Sequence, residues 1–192
     1  MQDQALETFY PTSQKEWRTW LEKNHVTKQS IWLVQYKVKS GVPTLSWSEA
    51  VDEALCFGWI DSTRKSIDQD KFIQFFCKRK PKSAWSKINK MKLEKLIEEG
   101  MMTEAGLESI AIAKQNGSWT ILDEVEELII PHELAKAFLQ FSGSEDFFMS
   151  RSKSTKKHML QWIAQAKRPE TKEKRCLEIA ELAARQLKPK QF

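Results

Sequence analysis

Apolar positions recur along the chain with two periods, and each change of period predicts a change of element. Trp17, Trp20 and Leu21 fall at i, i+3 and i+4, one face of a helix. Ser13 and Glu16 ahead of them form a capping box, in which each side chain satisfies an amide left open in the first turn. From Ser30 to Lys37 the period drops to two, with Ile31, Leu33 and Gln35 alternating against Trp32, Val34 and Tyr36. Both sets are largely apolar, so this strand is expected at the centre of a sheet. Ser40-Gly41-Val42-Pro43 is a turn signal. A second capping box, Ser46 with Glu49, opens a helix bearing Ala50, Val51, Ala54, Leu55 and Phe57, which Gly58 is suited to end in the left-handed conformation. Trp59-Ile60-Asp61 leaves it as a short extended piece, and Phe72–Phe76 alternates as a second strand.

After Pro81 the pattern turns helical. Ser83 is a candidate cap for a helix ending before Gly100, and Thr103 for one ending at Asn116-Gly117. Residues 119–130 carry Asp123, Glu124, Glu126 and Glu127 and no basic residue. Pro131 suits the first turn of a helix with Leu134, Ala137, Phe138 and Phe141 inward. Beyond Ser142-Gly143-Ser144, one stripe runs through Met159, Trp162, Ile163 and Ala166. After Pro169, with Thr171 as cap, another runs through Cys176, Ile179, Ala180, Ala183 and Leu187. The fold class is α+β: a small sheet with helices in the N-terminal part, then an all-α part. The expected organisation is a core domain over residues 1–141 and a helical unit over 142–192 packed on the same core. No period of 20–50 residues is present, which argues against a solenoid.

Composition narrows the function classes. At 192 residues the chain is long enough to hold a core without metal or disulfide, and eight tryptophans and ten phenylalanines argue against disorder. The apolar runs fall far short of the roughly 20 residues of a membrane span, so no membrane insertion is expected. Met1-Gln2-Asp3-Gln4 carries no secretory pattern. Cys56, Cys77 and Cys176 are odd in number and widely spaced, neither a disulfide framework nor a zinc site. Reduced thiols in the cytoplasm are the expectation. The net charge of +5 is unevenly spread. Residues 71–93 hold eight cations and no acid, and residues 151–192 hold twelve cations against four acids.

No recognisable catalytic constellation is present. His25, His132 and His158 are isolated, and none of the six glycines falls in a phosphate-loop pattern. No metal site and no cofactor are expected. Cys56 lies among Ala54, Leu55 and Phe57, the setting of an inert buried thiol, whereas Cys77 precedes Lys78, Arg79 and Lys80, which favour thiolate. Asp68 and Asp70 are expected in a turn. The segment from Lys78 to Lys90 combines cations, a helix start near Ser83 and the ring of Trp85, all suited to an anion or a planar group. The ordinary alternative is a solvated helix face with Trp85 turned inward. Arg151, Lys153, Lys156, Lys157 and His158 crowd a second helix start, where the dipole disfavours cations. Their counterpart is internal, at Asp123–Glu127 and Glu133, or an acidic protein surface.

Trp17-Arg18-Thr19-Trp20-Leu21-Glu22-Lys23-Asn24-His25, then Trp32–Lys37, resembles the opening of the YdeI/OmpD-associated, or bacteriocin-protection, family. The block Glu49–Ser62, containing Ala54-Leu55-Cys56-Phe57-Gly58-Trp59-Ile60-Asp61-Ser62, is the most specific part. Lys82–Asn89, Leu96–Thr103 and the closing Trp162–Arg175 extend the resemblance over nearly the whole chain. Where the family tends to have Phe-Thr-Pro-Arg, this chain has Phe76-Cys77-Lys78-Arg79, so a cation replaces the rigid proline. The resemblance implies a bacterial stress or bacteriocin-protection role with no agreed biochemical activity.

It also focuses attention on a pocket with Trp59, Asp61, Arg79, Ser83, Trp85 and Asn89, to which the run of cations adds Lys80 and Lys82. The leading expectation is a non-enzymatic module that binds an anionic ligand or partner through residues 78–90. The alternatives are an enzyme with Asp61 as general acid or base and Arg79 holding an anionic substrate, and a docking module built on the C-terminal helices. Only weak, salt-dependent nucleic-acid binding follows from the charge.

Overall fold

The computed structural model describes residues 7–192; Met1-Gln2-Asp3-Gln4, which carries no secretory pattern, lies outside the described residues. The described residues form two compact units, one comprising residues 7–83 with Ile88–Ser118, the other Ala84–Lys87 with Trp119–Phe192. The first unit thus ends at residue 118. Leu122, Val125, Leu134, Ala137 and Phe138 share one buried cluster with Phe148, Met159, Ile163, Cys176 and Ile179, so residues 119–141 belong to the helical unit. Ser142-Gly143-Ser144 is a turn inside that unit.

In the first unit, helix α1 (Gln14–Asn24) and helix α2 (Trp47–Cys56) accompany a four-stranded sheet. Its strands are β1 (Thr8–Phe9), β2 (Ser30–Tyr36), β3 (Trp59–Ser66) and β4 (Lys71–Lys78), in the order β1-β2-β4-β3. β2 is central, paired parallel to β1 and antiparallel to β4. Two elements differ from the sequence reading. The short extended piece after Gly58 is a full edge strand, because β4 supplies the partner that the polar residues 61–66 do not advertise. The two-residue β1 has no pattern of its own and exists through its pairing with Trp32 and Leu33.

The capping at Ser46 and Glu49 is reciprocal, as the sequence implies. At Ser13 only half of it forms: its hydroxyl accepts from the Glu16 amide, while the Glu16 carboxylate accepts from the Thr12 amide and hydroxyl. Ile31, Leu33 and Gln35 point with Phe72, Gln74 and Phe76 toward the helices, and all six are buried. Trp17 packs edge-on to Phe76 and donates its indole N–H to the Ala50 carbonyl at 3.0 Å. Within this core Glu53 is 2% exposed and holds Arg18 at 2.8 Å and Gln14 at 2.7 Å. A buried carboxylate needs such partners, because burial disfavours its charged form.

Helix α3 spans Lys87–Glu98 and starts four residues after Ser83, the expected cap. Helix α4 (Glu104–Gln115) is capped by Thr103, as expected. The second unit contains α5 (Asp123–Glu126), α6 (His132–Gln140), α7 (Ser144–Met149), α8 (Lys153–Ala164) and α9 (Pro169–Ala184). Pro169 opens α9 instead of interrupting the chain before it, so Thr171 lies inside the helix and is not its cap. Cys176, Ile179, Ala180 and Ala183 are buried as the stripe predicts, while Leu187 is exposed. No helix among the described residues is long and apolar enough to cross a membrane.

Candidate functional site

The hairpin of β3 and β4 decides which candidate residues meet. Ser30 and Ile60 flank Cys77 as its cross-strand neighbours, and Trp32 flanks Phe75. Opposed residues in a sheet share a face, so Ser30, Ile60, Phe75 and Cys77 lie on the side away from α1 and α2. These four residues line a cleft of about 850 Å³ in the first unit. Gln29 and Ser62 add polar groups, and the segment Lys78–Pro81 with Ser83 forms its wall.

Backbone hydrogen bonds hold that wall. The Arg79 amide donates to the Gly58 carbonyl at 2.9 Å, the Lys78 amide to Gln29 at 3.0 Å, and the Ser83 amide to Lys80 at 2.9 Å. The Pro81 carbonyl accepts from Asn116 at 2.8 Å and from the Ser118 hydroxyl at 3.1 Å. The cations are therefore mounted on a braced loop. Burial draws the Arg79 guanidinium down to about 10, against the opposing pull of Asp61 and then Cys77. It stays charged at neutral pH in a partly desolvated setting, where an anion interacts more strongly than in bulk water. Burial likewise raises the Cys77 thiol, in spite of Lys80 and Arg79. The expectation that neighbouring cations activate Cys77 is thus outweighed by desolvation.

Of the eight candidate residues, Asp61, Arg79, Lys80 and Ser83 border this cleft. Asp61 does so from the edge. It pairs with Phe76 on the helix side of the sheet, where its carboxylate accepts from Trp47 at 2.8 Å and from Gln74 at 3.1 Å. Trp59 is 1% exposed and stands edge-on to Trp20. Lys82 is exposed outside the cleft lining, and Asn89 is half-buried on α3. Trp85 is 1% exposed and packs against Trp119 in the second unit, so its ring is a core side chain with no open face for stacking. Ser30, Ser62, Ile60 and Phe75 were not singled out in the sequence. Only the strand register brings Ser30 and Ile60 to Cys77.

The run of cations between residues 71 and 93 is also divided. Lys71 pairs with Asp68, Lys87 with Glu127, and Lys92 with Asp52 at 2.6 Å, while the Lys78 ammonium donates to the Val26 carbonyl at 2.7 Å. Asp68 caps its turn by accepting from the amides of Asp70 and Lys71, as expected. In the second basic cluster Lys157 meets Glu126 at 2.5 Å, Lys156 donates to the Met149 carbonyl, and Arg151 to Phe147. The acidic segment is thus an internal counterpart for Lys157 and, from the first run, for Lys87, while backbone carbonyls take Arg151 and Lys156. Among the described residues, no group of three or more His, Cys, Asp or Glu could hold a metal ion.

The geometry defines an α+β protein with a basic cleft at the end of a small sheet, followed in sequence by a helical unit. The chain belongs to the family described as Domain of unknown function (DUF8412), which matches residues 9–109, just over half its length. Residues 127–186 match the family described as Bacteriocin-protection, YdeI or OmpD-Associated. The cleft lies in the first match and the five-helix unit holds the second. No curated protein and no solved structure matches the chain.

Proposed function

We propose that the protein is a YdeI-like bacteriocin-protection protein that acts in the cytoplasm by binding a small anionic ligand in the sheet-end cleft. Arg79 and Lys80 hold the anionic group, Ile60 and Phe75 receive an apolar body, and the hydroxyls of Ser30 and Ser62 orient it. The observation carrying this reading is the convergence of a partly desolvated guanidinium with an apolar floor in one braced cleft. Such a combination of a few placed polar groups on an apolar lining is the usual make-up of a small-molecule site. The basic region thereby contracts from residues 78–90 to 78–83.

The enzymatic alternative has less support, since the Asp61 carboxylate is already engaged by Trp47 and Gln74. Docking through residues 151–158 also has less support, because Arg151, Lys156 and Lys157 already have partners. The test is calorimetric titration with benzoate, an anion carrying a flat apolar ring. Saturable, salt-sensitive binding that weakens at least tenfold in Arg79→Gln, equivalent to about 1.4 kcal/mol, is the expected result. Wild-type protein that takes up no benzoate, or Arg79→Gln protein that binds it as well as wild type, overturns the reading.

A further inference from the structure

The helical unit contains a cleft of its own, of about 570 Å³, between α6 and the start of α9. Its charged lining is unbalanced. Lys172 from α9 meets Glu133 from α6 at 2.8 Å and holds that carboxylate below its ordinary range, so these two charges cancel. Lys136, Lys167 and Arg168 line the same cleft with no ion pair or side-chain hydrogen bond to another described residue, and Glu173 is the one remaining acid in the lining. Three cations face one carboxylate, a surplus of two positive charges. Their mutual repulsion is unfavourable, and Arg168 sits at the N-cap of a 16-residue helix, whose dipole disfavours a cation there. An occupant carrying two negative charges removes both penalties. The cleft also exceeds a bare oxyanion in size, and Ala137, Pro169 and Leu177 give it apolar walls.

We propose that this cleft is a second anion site, one that takes a phosphate monoester or a comparable compact dianion. Arg168 offers the planar fork that matches two phosphate oxygens, and Lys136 and Lys167 supply point charges. The site is independent of the sheet-end cleft: it lies in the other unit and under the other family match.

Phenyl phosphate is the probe, titrated into the full-length Arg79→Gln protein so that the first cleft contributes little. Binding is followed by calorimetry and by the imidazole signals of His132, which lines the cleft. The expected result is saturable binding that shifts the His132 signals, strengthens as the phosphate loses its second proton near pH 6, and weakens at least tenfold in Lys136→Gln/Arg168→Gln. Both substituted side chains are exposed, and circular dichroism confirms that the fold is retained. Binding unaffected by the double substitution, binding without a His132 shift, or absence of binding overturns the proposal. Failure of benzoate binding in the first cleft leaves it standing.

Discussion

Replacing Gly106 with alanine, a change that ordinarily favours a helix, should destabilise this protein. A Cβ placed on Gly106 falls 2.3 Å from the Cys56 carbonyl oxygen and 2.8 Å from its carbon. An unstrained carbon-to-oxygen contact needs about 3.3 Å, so α4 and the end of α2 must separate by about 1 Å. The Cys56 oxygen cannot retreat freely, because it accepts the Thr103 hydroxyl at 2.6 Å and the Thr103 amide at 3.1 Å. These bonds form the N-terminal anchor of α4, and weakening them costs about 1 kcal/mol each. Overpacking adds about 1–3 kcal/mol, and the gain in helix propensity returns about 1 kcal/mol. The expected net loss is about 2–4 kcal/mol, read from urea unfolding as a lower midpoint at unchanged slope. Gly106→Ala protein as stable as wild type, or more stable, refutes the claim that backbone closeness dictates glycine here.

Two further outcomes follow from buried groups. Burial raises the thiols of Cys56 and Cys176 to about 11. An unfolded thiol ionises at lower pH, so between about pH 9 and 11 the unfolded state releases protons that the folded state keeps, and stability falls as pH rises. The expected slope is about 1.4 kcal/mol per pH unit for each thiol, and Cys56→Ala/Cys176→Ala protein should show a shallower decline in the same window. An equal decline in that double variant contradicts the assignment. Trp85→Ala should lower stability by about 3–5 kcal/mol, the cost of deleting a buried aromatic side chain, while leaving benzoate affinity unchanged; the same titration with stability measured beside it separates the two effects.

Local signals along the chain carry most of the helices and little of the site. Ser46 with Glu49 and Thr103 before Glu104 mark helix starts because capping is settled within a few residues, so sequence spacing is sufficient evidence. Ser83 fails by the same logic: its local pattern is a good cap, yet Trp85 two residues later packs against Trp119 inside the second unit, and α3 begins only at Lys87. That competition lies 34 residues away in the chain and leaves no local trace. β3 is hidden for a related reason. Its residues from Ser62 to Ser66 are exposed and polar, and only the apolar β4 reveals them as a strand through pairing. The cleft inherits this difficulty, since Ser30, Ile60 and Cys77 are neighbours by register alone.

Charge shows most clearly what three dimensions add. The sequence places the positive surplus in residues 71–93 and 151–192, so the remaining stretches, 1–70 and 94–150, are acidic in sum. In the structure, Lys71, Lys87, Lys92 and Lys157 are each engaged by a carboxylate, so much of that surplus is neutralised locally. Pairs of this kind contribute little stability, about 0–1 kcal/mol each when exposed, but they break up the two runs of charge that the sequence presents. Lys136, from the nominally acidic stretch, joins Lys167 and Arg168 at one cleft, while Arg79 and Lys80 stand at the other. Two compact basic sites of different character thus replace two diffuse basic segments. One has an apolar floor and a partly desolvated guanidinium; the other has more exposed cations and a surplus of two charges. On the two proposals, the first takes an anion with an apolar body and the second a dianion. Titration with benzoate and phenyl phosphate against the Arg79 and Arg168 variants therefore distinguishes the two sites by chemistry as well as by position.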